Sequence, residues 1–260
     1  MEMSLLIAWK ELVEIVRDRR VILQLVVKSL TVIPVLVYFN STILVSGPRS
    51  IVVMLLMILC QFGLVLTTPI GINMVAGERE TGTLETTFLI CRSRTAIALG
   101  KVAAYTVANC CVVLLMFCSA AIAVYVGGLI INSASVPDTL VAIRLVAAYV
   151  LYGVGLIPTA SIAVILIGAL SKSSKEAIGY ANAFHLLVGI APAVVVGYKE
   201  HLGSATVAIP IVNLCEVIQL FVEYKLPFMQ AVVVFGVVFV IDAIGLLFLV
   251  RRLFKYELVN

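Results

Sequence analysis

Charge is scarce in this chain. Asp, Glu, Lys and Arg make up 12% of its 260 residues, and 63% are hydrophobic, where an ordinary soluble domain carries about 25% charged and about 45–50% apolar residues. No water-facing fold of that length could hide so much apolar surface, whereas lipid accepts it. The formal net charge is only +4, and the bases are spread along the chain, so no nucleic-acid patch forms. The six cysteines, Cys60, Cys91, Cys110, Cys111, Cys118 and Cys215, make no CxxC and no metal-ligand spacing, and most fall in apolar runs. There they serve as small hydrophobes, and no metal site is expected.

Catalytic patterns are missing too. The only two histidines, His185 and His201, are too far apart for HExxH, and no GxSxG elbow occurs. Gly100-Lys101 is followed by Val102, and Thr95 stands where a phosphate-binding loop needs glycine. Asp242 is the only aspartate within an apolar run, which excludes a paired-aspartate membrane protease. The chain is therefore not expected to be an enzyme. The first twenty residues carry Glu11, Glu14 and Asp18 and lack a compact apolar stretch before a small-residue cleavage site, so no cleavable signal is expected.

What is present is a series of long apolar runs. Residues 21–45, 51–75, 102–131, 140–170, 177–198 and 228–250 each approach or exceed the length of about 20 residues that crosses a hydrocarbon core of about 30 Å. The fold class expected is an all-α integral membrane protein of six transmembrane helices, forming one domain over 1–260. Residues 1–20 precede them as an amphipathic helix at the membrane surface. Leu5, Trp9, Leu12 and Val16 form its apolar stripe, opposite Lys10, Glu14, Arg17 and Asp18. Pro158 interrupts the fourth run, and Ser173 with Glu176 has the S-x-x-E spacing of a capping box ahead of the fifth.

Basic residues set the orientation. Lys10, Arg17, Arg19 and Arg20 precede the first run, and Arg79, Arg92, Arg94 and Lys101 lie between the second and third. Lys172 and Lys175 lie between the fourth and fifth, and Arg251, Arg252 and Lys255 follow the last. Only Arg49, Lys199 and Lys225 fall on the other side, which places both termini in the cytoplasm of a cell membrane. Residues 199–227, broken by Gly203, Pro210, Glu216, Glu223 and Pro227, read as an outer re-entrant segment of short helices. Within it Glu216, Gln219 and Glu223 share one face of a helix over about 211–223.

The loop over residues 76–101 holds the most specific pattern. It runs Ala76-Gly77-Glu78-Arg79-Glu80-Thr81-Gly82-Thr83-Leu84-Glu85, then Ser93-Arg94 and Leu99-Gly100-Lys101. Charge alone describes an ordinary solvated loop, mixed in sign, with Gly77 and Gly82 permitting sharp turns. The residue order, however, resembles the GERExGTLE…SR…LGK pattern of ABC type-2 permeases, NatB-like ones included. Ile209-Pro210-Ile211-Val212-Asn213 is similar to the Pro…Asn element of their outer segment. Cys91 departs from the pattern, standing where such loops often carry a proline.

The resemblance implies the membrane subunit of an ATP-driven exporter, with 76–101 as the coupling loop. Glu78, Arg79, Glu80, Thr81, Gly82, Thr83, Leu84 and Glu85 would then engage a separate ABC ATPase subunit. That partner would use ATP and Mg, so this chain would bind no cofactor itself. A second permease copy, identical or similar, and the lipid bilayer complete the expected partners; nucleic acid is not among them. A membrane scaffold that moves nothing and a secondary transporter are the alternatives, the latter weakened by the lack of paired interrupted helices.

Polar groups inside the apolar runs are costly and therefore informative. Lys28 and Asp242, at similar expected depths on the first and last spans, form a candidate intramembrane ion pair. Gln24, Asn40, Asn73, Asn109, Asn182 and His185 are expected to hydrogen-bond between helices, and Ala177 with Ala181, or Gly179 with Ala183, to give the fifth span a close-packing face.

Overall fold

A computed structural model describes residues 2–19, 21–23, 25–27, 30, 49–90, 93–131, 139–197 and 210–222, with positions 233, 236–237, 240, 244–245 and 247–249. Nearly all of the described residues are helical, with no strand among them. Helix α1 covers Glu2–Arg17 and α2 covers Arg49–Ile72, running on into a π turn at Asn73–Gly77. A single helical turn, Glu78–Glu80, leads to α3 at Thr83–Ile90. Then follow α4 (Arg94–Ile131), α5 (Thr139–Leu170), α6 (Ser174–Gly197) and α7 (Pro210–Val222).

Among the described residues, four segments are long and apolar enough to cross a membrane: Met57–Glu80, Arg94–Ser119, Val146–Leu170 and Ser174–Val195. They coincide with the second to fifth expected spans; the first and last expected spans fall mainly outside the described residues. The fourth run stays helical through Pro158, where the Thr159 hydroxyl donates to the Gly155 and Leu156 carbonyls.

Helix α2 is central, packing on α4, α5 and α6. Two apolar clusters fill the bundle. One joins Leu64, Tyr152, Leu156, Val188 and the α7 residues Cys215, Ile218 and Phe221. The other lies at the opposite end, joining Ile7 and Ala8 of α1 to Ile72, Ile97, Tyr105, Ile165 and Ala177. Thus α1 and α7 close the two ends of the bundle. The face of α7 expected to be polar is divided, since Gln219 is buried while Glu216 is only partly covered.

Helix α1 has two apolar faces. Ile7 and Ala8 are buried against α4, whereas Leu5, Trp9 and Val16 are all more than 60% exposed. Among the described residues nothing covers that outward stripe, and it suits a lipid interface. The inward face fits because α4 carries Gly100 at the crossing: a Cβ there would lie 2.8 Å from the Ile7 side chain and 2.8 Å from the Ser4 carbonyl oxygen.

Candidate coupling site

The loop between α2 and α4 is built from the π turn outward. In a regular helix the Glu78 N–H would bond the Met74 carbonyl. Here it bonds Asn73 and Val75 instead, and the Met74 oxygen accepts from Lys101 Nζ at 2.6 Å. Lys101 also donates to Glu11 Oε1 at 2.9 Å and forms an ion pair with Glu78 Oε2 at 2.9 Å, the latter close but not aligned as a hydrogen bond. The Lys101 side chain is fully buried. Read as one of the bases flanking a loop, it is instead the centre of a charged knot between α1, the π turn and the head of α4. Burial pushes the Glu11 carboxyl above its usual range, against the opposing pull of Lys101.

The next two residues reach the ends of other helices. Arg79 Nη1 donates to the Ala169 carbonyl at 3.2 Å, placing a cation at the C-terminus of α5. Glu80 accepts from the Ser174 backbone N–H at 2.7 Å and from its hydroxyl at 2.9 Å, placing an anion at the N-terminus of α6. These two bonds hold the exposed Glu80 carboxyl below its usual range. The α6 start also carries the expected cap: Ser173 Oγ accepts from the Glu176 N–H, and the Glu176 carboxylate accepts from the N–H of Lys172, one residue before Ser173.

After Glu80 the chain turns through Gly82, whose φ of 72° is the left-handed conformation that glycine adopts without strain. The hydroxyls of Thr81 and Thr83 lie 2.9 Å apart across the turn. Along α3 Leu84 is 2% exposed, but Glu85 and Thr86 face outward and Leu89 is 87% exposed. Ser93 then caps α4 by accepting from the Ala96 N–H. The signature thus divides into Glu78, Arg79 and Glu80, held by this chain, and the Thr81–Leu89 stretch, which leaves Thr81, Gly82, Thr83 and Glu85 open to solvent.

A protein-family model described as ABC-2 family transporter protein matches residues 5–246. The chain belongs to the ABC-2 transporter family. Comparison with curated proteins gave no match. In this ABC-2 transporter protein the matched span takes in α1, the loop and all four membrane-crossing segments, so the resemblance carried by the loop extends over the whole helical bundle.

Inside the bundle of this ABC-2 family member, Asn109 and His185 bond between helices as expected. Asn109 accepts from the Thr67 hydroxyl and donates to Ser161 Oγ at 2.8 Å, linking α2, α4 and α5. Gln61 donates to the His185 backbone carbonyl, and its Nε2 lies 3.3 Å from His185 Nδ1, linking α2 to α6. Asn73 and Asn182 lie exposed instead. The close-packing face of α6 is Ala177 with Ala181, both fully buried, while Gly179 and Ala183 face outward. Lys28 and Asp242, the candidate ion pair, lie outside the described residues, as do Gln24, Asn40 and Cys91.

Proposed function

We propose that this chain is the transmembrane permease subunit of an ATP-driven exporter. It has six spans and cytoplasmic termini in the cell membrane, pairs with a second permease copy, and is driven by a separate ABC ATPase subunit that binds ATP and Mg. The observation that carries this reading is the divided loop: a turn bonded to the N-terminal part of α4 and to the ends of α5 and α6, followed by a short helix that leaves Glu85 and Leu89 exposed. A motor needs a handle that is rigid towards the helices it moves and open towards itself. Glu85 and Leu89 supply the open side, one giving charge selectivity and the other apolar contact. Glu78, Arg79 and Glu80 supply the rigid side. The absence of a phosphate-binding loop from the sequence agrees with hydrolysis on another polypeptide.

The test is Glu85→Lys. The variant permease is expected to insert and fold as the parent does, yet to lose its ATPase subunit on purification. Retention of a fully active, substrate-stimulated ATPase would refute docking through α3.

A further inference from the structure

Lys101 is the most buried charge among the described residues, and the docking scheme above uses only its pairing with Glu78. Three features of its surroundings bear on its role. It meets oxygens from three separate places: Glu11 in the middle of α1, Met74 in the π turn, and Glu78 at the head of the coupling turn. The π turn diverts the Glu78 N–H to Asn73 and Val75, and the Met74 oxygen accepts from Lys101 in its place. The residue before Lys101 is Gly100, whose missing side chain is what lets α1 cross close enough for Glu11 to arrive.

Stability alone does not account for such an arrangement. Taking an ammonium and two carboxylates out of water costs about as much as their attraction returns, and an apolar replacement is often as stable. What a buried ion cluster does supply is a fixed geometry, because each partner has nowhere else to go. A lysine also has three donor directions, so it can hold three acceptors in one arrangement.

We propose that Lys101 is a positioning residue of the drive mechanism: through Glu11 and Glu78 it locks the interfacial helix α1, the coupling turn and the head of α4 into a single body, so that α1 travels with the loop the ATPase moves. The proposal rests on the permease reading for its consequence, though the tie itself does not depend on an ATPase. Its chemical meaning is that α1 is not merely an anchor in the lipid surface. Its exposed stripe of Leu5, Trp9 and Val16 moves through that surface with each stroke.

The experiment measures the separation of two exposed positions, Val13 on α1 and Thr86 on α3. Val13→Cys and Thr86→Cys are spin-labelled in full-length protein lacking the six native cysteines, reconstituted in lipid nanodiscs, and the distance distribution is read by pulsed electron resonance. The parent is expected to give one narrow distribution, and Lys101→Met one at least twice as wide. An unchanged width in Lys101→Met would mean that packing of Ile7 and Ala8 alone holds α1, and would overturn the proposal.

Because the single substitution strands two carboxylates, the neutral variant E11Q/E78Q/K101M is measured alongside and is read alone if Lys101→Met does not fold. Broadening in this variant, at a melting temperature close to the parent's, supports a positional role; a narrow distribution refutes it. With the co-purifying ATPase bound, ATP and vanadate must leave the Val13–Thr86 distance unchanged, and a shift would show that α1 does not ride with the turn. If no ATPase co-purifies, the permease reading fails, while the nucleotide-free widths still decide the tie.

Discussion

Glu80 receives both the backbone N–H and the hydroxyl of Ser174, at 2.7 and 2.9 Å, across 94 residues of sequence. One carboxylate thereby ends the coupling turn and begins α6. Since the bonds favour the charged form and lower its folded-state pKa, their contribution is present above the ordinary carboxylate range and is lost as pH falls through the lowered value. The melting-temperature gap between the parent and Glu80→Gln in detergent is therefore expected to shrink from pH 7 to pH 3. Glu11, shifted in the opposite direction, is present in both proteins and cancels in the difference. A gap independent of pH would mean that Glu80 acts by shape and not by charge.

Two leucines on α3 separate folding from docking. Leu84→Ala is expected to destabilise the isolated permease by about 2–5 kcal/mol, since Leu84 is 2% exposed. Leu89→Ala, at 87% exposed, is expected to change its stability by no more than about 0.5 kcal/mol, yet to reduce the ATPase recovered with it. Equal recovery with the parent would leave Leu89 without a docking role.

Gly100 and Gly179 give opposite expectations for the same substitution. Gly100→Ala puts a methyl 2.8 Å from Ile7 and the Ser4 carbonyl, and is expected to cost about 1–3 kcal/mol or displace α1. Gly179→Ala meets nothing within 4 Å and is expected to be neutral or to stabilise the helix by up to about 1 kcal/mol. Thermal unfolding of both variants in detergent checks the contrast.

Asn109 and Ser161, joined at 2.8 Å inside the bundle, are expected to show a coupling energy of about 0.6 kcal/mol, and no more than about 1.7 kcal/mol, in a double-mutant cycle of Asn109→Ala and Ser161→Ala. Additive losses would mean that each side chain satisfies itself elsewhere, as Ser161 can through the Ile157 carbonyl.

The bundle was legible because hydropathy and length alone specify a membrane-crossing helix, and the second to fifth runs match α2, α4, α5 and α6 within a few residues except at the head of α4, which begins at Arg94 and not 102. The cap at Ser173 was legible because it is local. The membership of the loop was legible from residue order, but the partners of Arg79 and Glu80 were not, since they lie 90 and 94 residues away, and neither was the pairing of Glu78 with Lys101. Lys101 was hidden by its position: a lysine heading an apolar run has the same pattern whether it reaches out to lipid headgroups or in to a carboxylate. A clue did exist. Glu11 falls on the same side of α1 as Ile7, Ala8 and Ile15, and a carboxylate on a packing face needs a cation opposite it.

The π turn at Asn73–Gly77 also sets a register. Such a turn is one residue more than an α-helix needs, so everything after it is rotated by about 100° from where an unbroken helix would carry it. Glu78 and Glu80 owe their directions, one inward to Lys101 and one across to Ser174, to that single surplus residue. Removing one of Asn73, Met74 or Val75 would leave every residue of the signature in place while turning each to a different neighbour. The pattern is thus anchored by its phase as much as by its composition, and a chain could keep GERETGTLE letter for letter and still lose the handle.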